Sequence, residues 1–174
     1  MELRYERLDR EKITEEQFKQ VLEIERCEGE DEAYCEEVMR ELLIGDKKNS
    51  NFICSDEDKI VGYISYNPKS RRRNGSIYII SLVILPEYRR KGIAQSLIYT
   101  ACKYYENKEF GEIMSLQVDK DNTPAINLYK KVGFEIREPI CEADEDDEQY
   151  IMDSTLENIK LTLEEIFKEN IKTK

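Results

Sequence analysis

Leu82-Val83-Ile84-Leu85-Pro86-Glu87-Tyr88-Arg89-Arg90-Lys91-Gly92-Ile93-Ala94 is the stretch that decides the fold. Its apolar residues close a strand predicted from Ser76 to Leu85, and Pro86 ends it because proline supplies no N–H to a ladder. Ile93, Leu97, Ala101 and Tyr105 then recur along one face of an amphipathic helix. Between strand and helix stand three basic residues and Gly92. The first N–H groups of a helix have no partner inside it, and its dipole favours negative charge there. Strand, basic turn and helix start therefore predict an anion site, and Gly92 lets a phosphate approach the backbone. The plainer alternative is an ordinary β–α turn with solvated basic side chains. Neither GxxxxGK[ST] nor a GxGxxG after a strand occurs.

A second block lies downstream. It is Leu116-Gln117-Val118, followed by Asn122-Thr123-Pro124-Ala125-Ile126-Asn127-Leu128-Tyr129-Lys130-Lys131-Val132-Gly133-Phe134. With Arg89-x-x-Gly92-x-Ala94, this pair of blocks resembles the GNAT-type N-acetyltransferase superfamily, whose pyrophosphate loop reads Gln/Arg-x-x-Gly-x-Gly/Ala. The resemblance covers residues 76–137, and elsewhere it is one of element order only.

The bulk properties bound the reading. A chain of 174 residues suits a single domain with a real core, with 40% hydrophobic and 37% charged residues. No apolar run is long enough to span a bilayer, and the N-terminus lacks the apolar core of a signal peptide, so a cytoplasmic protein without membrane contact is expected. The five cysteines, Cys27, Cys35, Cys54, Cys102 and Cys141, are odd in number and form no CxxC. That argues against a disulfide framework or a zinc site, and most are expected to be small buried hydrophobes. The absence of histidine excludes Ser-His, Cys-His and histidine-ligated metal chemistry within the chain. No metal is expected. A net charge of −11 argues against nucleic acid as a partner and would favour encounter with cations.

Along the chain, Glu2 to Leu8 alternates as a first strand. Thr14-Glu15-Glu16-Gln17 is a capping box, with Ile13 and Phe18 placed as a hydrophobic staple. Phe18, Val21 and Leu22 mark the apolar side of that helix. A second helix carries Cys35, Val38, Met39 and Leu42, and Gly45 is positioned to stop it. Strands follow at 51–55 and 60–66, then a polar connection holding Arg71-Arg72-Arg73, which reads as a solvated hairpin tip or as a reach toward a nucleotide phosphate. A strand is expected at 112–118. Thr123 is placed to cap the next helix and Pro124 suits its first turn. Strands at 134–140 and 149–153 flank the acidic run 142–148. The tail, 155–174, is helical, with Leu156, Ile159, Leu163, Ile166 and Phe167 as an apolar stripe. That stripe packs on its own domain or forms a homodimer contact. The predicted architecture is an α/β mixed central sheet flanked by helices, with an extra C-terminal helix, in one domain spanning 1–174 without repeats.

The resemblance implies site residues. Leu82, Val83 and Ile84 would pair their backbones with the pantetheine arm of acetyl-CoA. The amides of Arg89, Arg90, Lys91, Gly92, Ile93 and Ala94 would hold its pyrophosphate. Asn122 matches the family asparagine that contacts the cofactor, and Tyr129 the tyrosine near the thioester sulfur. The implied reaction is direct attack of a primary amine on the thioester. No Asp or Glu lies in the central strand, so the base is left open among Glu28, Glu30, Asp31, Glu32, the more distant Glu87 and a water chain. A different class of protein, an acyl-CoA-binding sensor or interaction module on the same fold, would keep the loop without catalysis.

Overall fold

The computed structural model describes residues 2–27, 33–68, 76–106, 111–137 and 148–172. The base candidates at 28–32, the arginines at 71–73, Cys141 and the acidic residues 142–147 lie outside them. The strands form one mixed sheet of seven, ordered β1-β2-β3-β4-β5-β7-β6. They are β1 (Leu3–Leu8), β2 (Ser50–Asp56), β3 (Lys59–Asn67), β4 (Ile77–Ile84), β5 (Ile113–Asp119), β6 (Glu135–Ile136) and β7 (Gln149–Thr155). The helices are α1 (Glu15–Arg26), α2 (Glu36–Arg40), α3 (Ile93–Tyr105), α4 (Thr123–Lys131) and α5 (Leu156–Lys172). This is the α/β mixed-sheet class expected, with its extra C-terminal helix.

The chain divides into two compact units. The first holds residues 1–68 and 80–101. In it β1, β2 and β3 pair antiparallel, Tyr5 opposite Cys54 and Ile53 opposite Tyr63. The core is built from Phe18, Val21, Leu22 and Ile24 of α1, Met39, Leu42 and Leu43 after it, and Ile53, Tyr63 and Val83 of the sheet. The capping box forms as the sequence predicts. Thr14 Oγ1 accepts from the Gln17 N–H (3.1 Å) and Gln17 Oε1 accepts from the Thr14 N–H (3.0 Å). Ile13 packs against the same core as Phe18, completing the staple. Gly45 behaves differently from expectation. The helix widens into a π turn over Glu41–Gly45, where the Asp46 N–H donates to Glu41 O (2.8 Å), five residues back. Gly45 has no left-handed φ, so the π turn, and not a glycine cap, terminates the helix.

The second unit holds residues 69–79 and 102–174. Within it β4 runs parallel to β5 through Ile77–Met114 and Tyr78–Ser115, and β5 pairs antiparallel with β7 along seven positions. Asn122, and not Thr123, caps α4: its Oδ1 accepts from the Ala125 N–H (3.1 Å), which makes Thr123 the first helical residue and puts Pro124 where an N–H is not needed. Gly133 ends α4 with φ +98°, and a Cβ there would come within 2.9 Å of Asn158 Nδ2. Asn158 Nδ2 in turn donates to Gly133 O (3.0 Å). The glycine thus answers both a left-handed turn and a close approach of α5. Of the tail's apolar stripe, Ile159 and Leu163 are fully buried, while Leu156, Ile166 and Phe167 are half-buried. Of the four described cysteines, Cys54 and Cys102 are buried, while Cys27 and Cys35 are exposed, so the expectation of buried thiols holds for half of them.

Candidate active site

The turn after β4 has a defined shape. Leu85 closes the strand, its N–H donating to Val61 O of β3 (3.0 Å), and Pro86–Tyr88 make one turn of 3₁₀ helix. Arg90 then takes φ +61° and Gly92 φ +80° before α3 begins at Ile93. Positive φ at both residues flanking Lys91 is a backbone pattern of the kind found in anion-binding turns. A Cβ at Gly92 would meet nothing closer than Gln95 Oε1 at 3.6 Å, so the space over this glycine is open.

The neighbours brace the turn. Arg89 Nε donates to Ile84 O (2.9 Å), which ties the loop back to the end of β4. Tyr88 OH donates to Asp56 Oδ2 (3.1 Å), and Lys59 pairs with Glu87 (3.1 Å) across from the β2–β3 turn. Lys91 Nζ stands 4.7 Å from the Tyr88 ring centroid. The backbone amide of Glu87 and then Lys59 hold the Glu87 carboxyl below its ordinary pKa. A carboxylate so engaged is a poor proton acceptor, which weakens Glu87 further as a base. The side chains of Val83, Ile84 and Ile93 are buried, and Leu82 is half-buried.

Asn122 stands exposed ahead of α4 with its Oδ1 committed to the cap. Among the described residues its Nδ2 makes no hydrogen bond, so the donor half of the amide is available. The Tyr129 side chain is 8% exposed, and its ring meets Phe134 edge-on at 5.7 Å. Tyr78 OH donates to Gln117 Oε1 (3.1 Å) between β4 and β5. No group of three or more metal-ligating side chains comes together among the described residues.

Reasoning from sequence missed one carboxylate. Glu25, on the last turn of α1, is only 4% exposed. Its Oε2 accepts from Tyr63 OH of β3 and from Ser81 Oγ of β4 (3.3 Å), and its Oε1 accepts from the Tyr34 N–H (3.3 Å). Tyr63 OH also lies 2.8 Å from Ser81 Oγ. Among the described residues no lysine or arginine pairs with Glu25. The signal was present in the spacing: Phe18, Val21, Leu22 and Glu25 share one helical face, so a carboxylate continues an apolar stripe.

Comparison with known proteins places the family and the fold. The model of the Acetyltransferase (GNAT) family matches residues 14–134. An N-alpha-acetyltransferase of Saccharolobus solfataricus is 37% identical over 93 residues, 48% of this chain and 54% of that protein. The chain thus matches about half the length of that curated relative. The structure of Arabidopsis thaliana NAA60 in complex with acetyl-CoA superposes with TM-score 0.69 at 17% identity, covering 90% of this chain and 99% of that one. The ribosomal-protein-S18-alanine N-acetyltransferase of Escherichia coli superposes with TM-score 0.68 at 15% identity, covering 89% and 94%. This chain belongs to the Acetyltransferase (GNAT) family.

Proposed function

We propose that the protein transfers an acetyl group from acetyl-CoA to a primary amine by direct attack within a ternary complex. The observation that carries the reading is the turn at 89–94, in which two left-handed residues and an open glycine head a thirteen-residue helix. That shape fits a pyrophosphate, because it offers N–H donors, a positive dipole end and basic side chains together. Arg89, Arg90, Lys91, Gly92, Ile93 and Ala94 supply these contacts, Leu82, Val83 and Ile84 the backbone for the pantetheine arm, and Asn122 the free amide donor.

Holding amine and thioester together accounts for much of the rate. Burial pushes the Cys54 thiol up to about 11 and the Cys102 thiol up to about 12, so neither forms a thiolate nucleophile at neutral pH. That supports attack by the amine itself. Tyr129 hydrogen-bonds the departing thiolate. An ordinary phenol near 10 against a thiol near 8.5 makes full proton donation uphill by roughly 2 kcal/mol, so stabilisation is its main contribution.

The acceptor is cationic, a small molecule or a peptide. Net charge is −11, and among the described residues a cleft of about 640 Å³ beside α1 is lined by Glu23, Asp56, Glu57, Asp58 and Glu87 against one cation, Lys59. The summed field raises the capture rate of a cation more than its affinity. Among the described residues no helix is long and apolar enough to cross a membrane. We assign the protein to the cytoplasm, without metal or nucleic acid. A homodimer through α5 would use Leu161 and Ile171, which are exposed on it.

The test is release of free thiol from acetyl-CoA over a panel of polyamines, aminoglycosides, amino acids and peptides with free α-amines. Transfer to cationic members supports the reading. CoA binding without transfer to any amine leaves a binding module instead.

A further inference from the structure

A carboxylate taken out of water without a cation is costly, and such groups concentrate where a ligand or a proton completes them. Glu25 is that group. Tyr63 OH and the Tyr34 N–H donate to it, the Ser81 hydroxyl stands 3.3 Å from its Oε2, and its cation is missing among the described residues. The three side chains come from α1, β3 and β4, and all belong to the first unit. Their accessibility is graded: Tyr63 is fully buried, Glu25 nearly so, and Ser81 is half-buried. Ser81 also precedes Leu82, the first residue assigned above to the pantetheine arm.

Resting on the acetyltransfer reading, we propose that Ser81, Tyr63 and Glu25 form a proton relay that takes the proton from the acceptor's ammonium group and so supplies the base that the sequence leaves open.

The hydrogen-bond order gives the relay a direction. Each hydroxyl has one proton. The Ser81 proton can go to Glu25 Oε2 at 3.3 Å or to the Tyr63 oxygen at 2.8 Å; turned to the shorter contact while Tyr63 donates to Glu25 Oε2, it leaves the lone pairs of Ser81 Oγ for a donor from outside. An ammonium N–H passes its proton to Ser81 Oγ, Ser81 passes its own to Tyr63, and Tyr63 passes its own to Glu25. The net change is one proton from nitrogen to carboxylate, with a neutral amine left to attack. The C–N bond then forms as the C–S bond breaks. The second nitrogen proton leaves to solvent or to the thiolate, and Glu25 returns its proton by the same chain when the product has gone.

Burial first, then the charge of Glu25, raises the Tyr63 phenol well above its ordinary value, so Tyr63 stays a neutral conductor. Among the described residues, the titratable groups facing Glu25 are Tyr63 on β3 and Tyr34 ahead of α2, whose phenol is also raised, by burial and then by Glu25. On its own helix, Glu23 and Arg26 are exposed. Ser81 would touch the substrate, and Glu25 acts through it.

Glu25→Gln keeps the shape and removes the proton acceptor. It is to be compared with wild type on two acceptors of similar size: the best alkylamine of the panel, protonated at neutral pH, and an alkoxyamine, neutral there. General base loss should lower kcat/KM for the alkylamine about a hundredfold and for the alkoxyamine by less than about threefold. Raising the pH toward the alkylamine's own pKa should partly restore the variant's kcat/KM, because solvent then removes the proton that Glu25 takes in wild type. Ser81→Ala should repeat the pattern with CoA affinity and melting temperature unchanged, which separates the relay from loss of folding. Equal losses on both acceptors, or none on either, overturn the relay. A wild-type protein that acetylates no amine overturns the acetyltransfer reading, and the relay with it, and that outcome is visible before any variant is made.

Discussion

A valine at position 92 would have to hold φ at +80°, a conformation that β-branched L-residues avoid. Its Cβ meets no obstacle, since the nearest heavy atom is Gln95 Oε1 at 3.6 Å. The penalty is therefore one of backbone conformation, of order 1–3 kcal/mol. The protein can keep the turn and lose that much stability, or relax the turn and lose it from ligand affinity. In the second case CoA binds about 5- to 150-fold more weakly. The space around Gly92 is open, so relaxation of the turn is the cheaper course, and the rest of the fold should survive. Calorimetric titration with CoA, beside the melting temperature of the same sample, measures both. Gly92→Asn is the control, because asparagine visits the left-handed region with a small cost and should stay close to wild type. A folded Gly92→Val variant that binds CoA as wild type does, with unchanged melting temperature, would refute the assignment of the pyrophosphate to this turn.

Three further outcomes are expected. Asn122→Asp keeps the cap on α4 but replaces the free Nδ2 donor with negative charge, so melting should hold while CoA affinity falls about tenfold. Tyr129→Phe should lower kcat more than CoA affinity, because the hydrogen bond is needed as the thiolate develops; unchanged turnover on a good acceptor would make Tyr129 a packing residue against Phe134. Lys103 first, with Lys160, holds the Glu106 carboxyl down to about 2 from its ordinary 4.5. A depressed carboxyl contributes stability above its unfolded value and loses it as pH falls through the folded one. Melting temperature should thus drop between about pH 5 and 2 in wild type and drop less in Glu106→Gln, as pH-resolved thermal melts would record.

The sequence by itself determined whatever depends on neighbours along the chain. Strand, proline, basic turn and helix at 82–94 were legible because proline, left-handed glycine and the 3.6-residue period act over a few residues. The capping box at Thr14 and the stop at Gly133 were legible for the same reason, and the order of elements followed. Local rules were also where small errors fell. Thr123 and Asn122 are both good caps, and the hydrogen bond to Ala125 decided for Asn122. Gly45 offered a helix stop that a π turn supplied in its place. Only the tertiary structure could decide what Glu25 is. Its spacing put it on the apolar face of α1, but its partners Tyr63 and Ser81 are 38 and 56 residues away. A side chain's chemistry depends on what the fold places against it. Burial turns a residue that the sequence reads as one of many solvated carboxylates into a charge that three strands and helices must satisfy together.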